Sequence, residues 1–310
     1  MLPTLLASLA LSGPVLRPLT VEQCAQYEKD GVIVVRGLLR GRQLRAAQQA
    51  AEKIVSSRER RFSAYRLISF QGWRTNPVLR GIAFDSDAPA MAAQLMALER
   101  DQPLRLIKDA FLAYSAGDTG CGWHVDDKIF WPCIDSAPGT VDDGINVWIT
   151  LSPIKASEGG GLAVAPGSHR SDWRERCRAV IAGSVGGGVG PPRTCDMAKL
   201  SPECERRLEE CKLLHDMEPG DALLHSRYCF HRGEPFAVGE GKLRYSIRYM
   251  PAHARFFDNG REAAAGAVST LEHGDPIAKA GAYYPQCWPR SRLRERWVIR
   301  LGRLKGDAGR

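Results

Sequence analysis

His124 and Asp126 stand two positions apart in "GWHVDDKIFW", residues 122 to 131, a stretch crowded with aromatic side chains. On an extended segment, period-two geometry turns both to one face and Val125 to the other. A neutral imidazole nitrogen and a carboxylate oxygen then converge as two cis ligands of a divalent metal, and a third is required. His225 and His231, in "GDALLHSRYCFHRGEPF", compete for that place, and only the fold can bring either one close. Two histidines and one carboxylate on one face, with open positions opposite, form the facial triad of non-haem Fe(II) oxygenases. His-x-Asp alone is a weak signal, because so short a pattern arises often by chance.

A second stretch strengthens it. In "KLRYSIRYM", residues 242 to 250, Arg244, Ser246 and Arg248 alternate with Tyr245, Ile247 and Tyr249, so one strand face carries two guanidiniums and a hydroxyl. A planar guanidinium with a hydroxyl two residues on suits bidentate capture of a carboxylate. The competing reading is an edge strand whose arginines face solvent. In "INVWITLS" Asn146, Trp148, Thr150 and Ser152 share one face and Ile145, Val147, Ile149 and Leu151 the other. The aliphatic face is a core face by pattern; the mixed one faces solvent or lines a pocket.

The elements that must position these residues change character along the chain. Thr20, with Gln23 three positions on, opens a helix by a capping box, Asp30 and Gly31 punctuate it, and "VIVVRG" reads as a buried strand. Residues 41 to 56 are again helical, and Asp87 caps another helix running to Glu99. The first hundred residues are thus expected to be mostly helical with one strand. Short β-type runs follow, "PLRLIKDAFLAY", "GINVWITLS", "GLAVAP", "DALLHSRYCFH" and "LRYSIRYMPA", separated by Gly, Pro and Asp. They argue for a sandwich or barrel with helices outside it. Residues 132 to 144 and 182 to 194 read as loops, and the glycine run in the second lacks the Gly-Lys-Ser/Thr of a phosphate loop.

Composition is that of an ordinary globular protein, 44% hydrophobic and 25% charged over 310 residues. Much of the net charge of +8 lies in residues 291 to 310, where seven basic residues face Glu295 and Asp307. Trp297, Ile299, Leu301 and Leu304 make that segment a docked helix with a solvated basic face, with membrane or nucleic-acid contact as the less favoured reading. Nine scattered cysteines without a CxxC pair point to a mainly reduced, intracellular protein, cytoplasmic or organellar. Residues 1 to 19 form an N-terminal extension, frayed or docked, with a cleaved targeting peptide as the alternative. No stretch reaches transmembrane length.

Taken together, "QYEKDGVIVVRGLL", "GWHVDD", "NVWITLSPIKASEGGGLAVAPGSHR", "GDALLHSRYCFHRGEP" and "LRYSIRYM" resemble the phytanoyl-CoA dioxygenase family of Fe(II)/2-oxoglutarate-dependent oxygenases. The resemblance spans roughly residues 20 to 250, and its Glu-Gly-Gly-Gly-Leu and Pro-Gly-Ser-His elements are far more specific than His-x-Asp. It implies a mainly β fold with flanking helices, a double-stranded β-helix of jelly-roll, cupin-like type, within one domain from 20 to 290. It implies His124, Asp126 and His231 as catalytic metal ligands, His231 being preferred because it precedes a glycine-containing turn shortly before the co-substrate arginine. Arg244 and Ser246 then hold 2-oxoglutarate, Tyr114, Trp148 and Thr150 line its pocket, and Arg248 is a second, more structural arginine.

The implied chemistry is hydroxylation of a small-molecule substrate by O2, with Fe(II), release of succinate and CO2, and ascorbate as a stimulant. Because Asp126 is present, halogenation is disfavoured. Asp127 points away from the ligand face as a bystander, and Lys128, Phe130 and Trp131 follow as a rim. Arg232 is a lesser candidate for meeting an anionic substrate, and His169 reads as a structural histidine. Two other classes compete, a non-catalytic cupin-like metal or ligand-binding protein, and a nucleic-acid demethylase that would use the basic tail. No obligate nucleic-acid partner is expected, and oligomeric state is open.

Overall fold

The computed structural model describes residues 17–57, 66–99, 101–126, 144–170, 177, 201–256 and 271–289. Four helices, α1 (Val21–Asp30), α2 (Gly41–Ser57), α3 (Pro77–Asp85) and α4 (Ala88–Leu95), precede most of the sheet, and α5 (Pro202–Glu210) falls within it. The strands are β1 (Val32–Val35), β2 (Leu67–Phe70), β3 (Leu104–Tyr114), β4 (Ile145–Thr150), β5 (Leu162–Val164), β6 (Ala222–Ser226), β7 (His231–Gly233), β8 (Lys242–Pro251) and β9 (Gln286–Trp288). Among the described residues they form a seven-stranded sheet in the order β1-β6-β4-β8-β3-β2, with β9 also on β3, and a two-stranded sheet of β5 and β7. Every pairing is antiparallel. This is the expected double-stranded β-helix with helices on its outside.

Alternation along the strands divides the large sheet into two faces. Ile145, Val147 and Ile149 of β4 and Tyr245, Ile247 and Tyr249 of β8 join residues of α1 to α4 in one buried cluster. Each such aliphatic side chain contributes about 1.5–3 kcal/mol on full burial. The tyrosines can lie there because α3 and Asp109 of β3 satisfy them: Tyr249 donates to the Ala83 carbonyl at 2.7 Å, and the Tyr245 hydroxyl lies 2.6 Å from Asp109 Oδ2 and 3.2 Å from the Leu79 carbonyl. The opposite face carries the polar set. Since β8 lies between β4 and β3, Arg244 and Ser246 are 2% and 6% exposed, and the edge-strand reading of these arginines is excluded.

The N-terminal half departs from expectation in three places. The capping box of α1 forms and Gly31 closes the helix in the left-handed region at φ 70°, as read. β2 and α3 were not foreseen, and α4 ends at Leu95, short of Glu99, with Asp87 making no side-chain cap bond. The Ser86 hydroxyl accepts from Ala88 N instead, at 3.2 Å. The expectation of mainly reduced cysteines holds only in part, since Cys24, Cys211, Cys229 and Cys287 are free and three others are bonded. Cys177 and Cys204, 27 residues apart, come within a Cα–Cα distance of 5.6 Å and form a disulfide, and Cys121 is disulfide-bonded as well. No helix among the described residues is long and apolar enough to cross a membrane. Residues 1–16 of the 1–19 extension, the loop from 182 to 194, Asp127, Lys128, Phe130, Trp131 and the basic segment from 291 lie outside the described residues.

Candidate active site

Two backbone hydrogen bonds close the long gap between the candidate ligands. His124 N donates to the His231 carbonyl and His231 N to the His124 carbonyl, both at 3.0 Å, so the two histidines face each other across an antiparallel bridge. Asp126 N donates to the Arg227 carbonyl at 3.0 Å, which keeps the segment extended and puts Asp126 on the same face as His124. One ligand atom from each of His124, Asp126 and His231 lies within 4.8 Å of the others, the one such cluster among the described residues. His225 is adjacent, its ring 4.4 Å from that of His231, but it falls outside the cluster.

Hydrogen bonds fix which atoms face the centre. His124 Nδ1 donates to the Gly122 carbonyl at 2.7 Å and His231 Nδ1 to the Cys229 carbonyl at 3.0 Å, which leaves the lone pair of each ring on Nε2. Asp126 Oδ2 accepts from Arg248 Nε at 3.0 Å and Asn146 Nδ2 at 2.7 Å, while the buried Oδ1 takes no hydrogen bond among the described residues. Burial by itself would raise the Asp126 carboxyl, yet Arg248 and the two histidines outweigh it and hold it well below the usual carboxylate range. Burial depresses both ligand histidines, and the neighbouring imidazoles push His231 down further. Neutral imidazoles and an ionised carboxylate are the states that bind a metal. The three donors therefore fit a divalent ion of the facial-triad type.

The strand register orders the remaining polar groups in rows across the inner face. Lys108 of β3, Arg248 of β8, Asn146 of β4 and His225 of β6 are successive cross-strand partners, and they form the row beneath Asp126. Ala110, Ser246 and Trp148 form the next row, and Leu112, Arg244 and Thr150 the third. The Arg244 guanidinium lies 4.7 Å from the Tyr114 ring centre and 5.6 Å from that of Trp148, so two aromatic faces bracket it. Tyr114 is itself wedged edge-on against Phe236 at 5.1 Å. Thr150 shares the face, but its hydroxyl donates to the Ser152 carbonyl at 2.5 Å.

The two glycine-bearing motifs brace this arrangement. Gly159 has φ 83°, and a Cβ there would meet the Pro235 carbonyl oxygen at 2.2 Å, so the loop lies against the segment that follows β7. In the Pro-Gly-Ser-His turn, Ser168 Oγ accepts from Phe230 N at 2.8 Å, directly before His231. His169 is fully buried with Nε2 3.3 Å from the Glu28 carbonyl, in keeping with a structural role.

Sequence reading missed α5 and what it does. Arg232 pairs with Glu209, with Glu234 at 2.8 Å and with Glu205 at 3.9 Å, and Trp123 Nε1 donates to Glu209 at 2.7 Å. Arg232 is therefore matched by three carboxylates and latches α5 to both ligand-bearing segments, which removes it as a substrate contact. The one signal available was Ser201 before Pro202, a cap followed by a first-turn proline. Lys108 was missed too, since a lone lysine inside an apolar run gives no sign of which face it takes.

A double-stranded β-helix holding two histidines and a carboxylate beside a buried arginine defines the class of facial-triad oxygenases. The chain belongs to the phytanoyl-CoA dioxygenase (PhyH) family, whose model matches residues 27–237. A comparison with the curated proteins found no match. Among solved structures, the non-heme α-ketoglutarate-dependent carbocyclase SnoK from nogalamycin biosynthesis is similar at 20% identity and TM-score 0.66, over 86% of this chain and 96% of that one. The epimerase SnoN, crystallised with Fe3+, α-ketoglutarate and nogalamycin RO, is similar at 19% identity and TM-score 0.65, over 86% and 97%. EctD from S. alaskensis, with 2-oxoglutarate and 5-hydroxyectoine, gives 15% identity and TM-score 0.58 over 84% and 86%. At these identities the likeness concerns the fold.

Proposed function

We propose that the protein is an Fe(II)- and 2-oxoglutarate-dependent dioxygenase that hydroxylates a small-molecule substrate, with residues 20 to 290 as the catalytic unit. The observation that carries this reading is the convergence of His124, Asp126 and His231 next to the inward-facing pair Arg244 and Ser246. Iron and 2-oxoglutarate, when bound, supply the activation of O2, with succinate and CO2 as co-products and ascorbate as a stimulant.

The protein's own residues bind and orient. His124, Asp126 and His231 hold the metal on one face, and Asn146 and Arg248 fix the carboxylate so that Oδ1 points to it. The Arg244 fork and the Ser246 hydroxyl receive the distal carboxylate of 2-oxoglutarate, a bidentate task that suits arginine better than lysine. Tyr114 and Trp148 hold the guanidinium flat and keep water from it. Thr150 closes the turn at the end of that row.

Succinate release separates this reading from a non-catalytic binding protein. His124→Ala and Asp126→Ala are expected to abolish it, and Arg244→Met to raise the 2-oxoglutarate needed for half-saturation while leaving metal content intact. Unchanged succinate release in the ligand variants would overturn the reading. Since structural neighbours include a carbocyclase and an epimerase, label from 18O2 in the product distinguishes hydroxylation from those outcomes.

A further inference from the structure

The row beneath Asp126 ends in a cation that the proposed chemistry does not use. Lys108 is fully buried, and its Nζ makes no hydrogen bond among the described residues. Among the described residues its aromatic partner is Phe70 of β2, with Nζ 4.0 Å from the ring centre, and Phe70 is 40% exposed, so the ammonium sits just behind an apolar lip.

Among the described residues, the two carboxylates near it are held elsewhere. Asp126 is matched by Arg248. Asp109, the next residue in the chain, points to the opposite face, where its Oδ2 accepts from the Tyr245 hydroxyl at 2.6 Å and Trp73 N at 2.8 Å. A buried ammonium without an anion or acceptor is costly, and an active-site pocket is where such a cost is tolerated for a ligand's sake. Arg244 stands four residues along β8 from Arg248, the cross-strand partner of Lys108, a backbone span of roughly 13 Å, so the two cations enter the pocket from different rows.

We propose that Lys108 anchors the primary substrate, and that this substrate is an organic acid whose carboxylate docks on Nζ beside the metal while its apolar frame lies against Phe70. The proposal rests on the Fe(II)/2-oxoglutarate reading, and it assigns to the pocket a second anion site distinct from Arg244. Ala110, between Lys108 and Leu112 on the same face, presents no polar group, in keeping with an apolar frame there.

Trifluoroacetate is a probe of that site. In protein loaded with Co(II) and saturating 2-oxoglutarate, Arg244 is occupied, and a carboxylate at Lys108 lies close enough to the metal for its 19F relaxation to be enhanced. Wild type is expected to show the enhancement, Lys108→Met to lose it, and Lys108→Arg to restore it, with all three binding 2-oxoglutarate equally in the same samples. Equal enhancement in Lys108→Met, or none in wild type, overturns the proposal. So does a matching loss of 2-oxoglutarate affinity in Lys108→Met, which would assign the lysine to the co-substrate. Failure of wild type to bind Co(II) and 2-oxoglutarate at all would instead sink the parent reading, and this one with it.

Discussion

Arg248 Nε donates to Asp126 Oδ2 at 3.0 Å, and this ion pair, 13% and 1% exposed on its two sides, leaves Oδ1 of the same carboxylate without a hydrogen bond among the described residues. Two effects compete when the arginine is removed. Loss of a nearby positive charge favours a divalent cation, whereas loss of the clamp frees the carboxylate to rotate and to take up a proton in its buried surroundings. Outer partners of metal ligands commonly contribute about 10–100-fold to affinity. Orientation is therefore expected to win: Arg248→Met binds Fe(II) or Co(II) about 10–100-fold more weakly. A competition titration against a chelator measures it, and tighter binding in Arg248→Met shows that charge repulsion dominates.

How far the sequence disclosed this site follows from its geometry. Alternation alone sorted Arg244, Ser246 and Arg248 from Tyr245, Ile247 and Tyr249 correctly, because a strand has only two faces. It could not say which face was buried, since β8 is covered on both sides and only its central place in the sheet shows this. The choice of His231 over His225 came from the family resemblance, through the glycine-containing turn after His231 and its spacing to Arg244, and not from alternation. Both are buried, and the backbone bridge, which no sequence spacing discloses, brings His231 and not His225 opposite His124. Asn76 with Pro77, and Ser201 with Pro202, were legible helix starts that a search for long amphipathic runs passes over, because α3 and α5 are nine residues each. The pairing of Cys177 with Cys204 depends on tertiary proximity and leaves no trace in spacing.

Lys108 makes stability depend on pH in the metal-free protein. Burial, then Arg248, lowers its pKa to about 7 against the partial opposition of Asp126 and Asp109. A lysine depressed in the folded state binds fewer protons there than in the unfolded chain between the two values, so its contribution rises with pH from about 7 to the ordinary lysine range and is level, at its least favourable, below about 7. Lys108→Met lacks this titration. The melting temperature of Lys108→Met should exceed that of wild type most near pH 6.5 and least near pH 9.5, roughly bracketing the interval over which the linkage acts. A gap of constant size at both pH values would show that Lys108 keeps an ordinary pKa.

Gly31 ties the first helix to β6 and to the Pro-Gly-Ser-His turn beside His231. It ends α1 at φ 70°, its carbonyl accepts from Ser226 N at 2.8 Å at the end of β6, and the preceding Asp30 carbonyl accepts from Gly167 N at 2.7 Å in the Pro-Gly-Ser-His turn. A Cβ at this position would lie 2.5 Å from His169 Nδ1. Gly31→Ala thus meets two separable penalties, about 1–2 kcal/mol for a left-handed alanine and about 1–3 kcal/mol for overpacking against the imidazole. Urea unfolding of Gly31→Ala, His169→Ala and the double variant isolates them: the steric part should vanish when His169 is truncated, and the conformational part should persist. Strict additivity of the two single changes would mean that the ring yields freely and that backbone conformation alone fixes glycine at this junction.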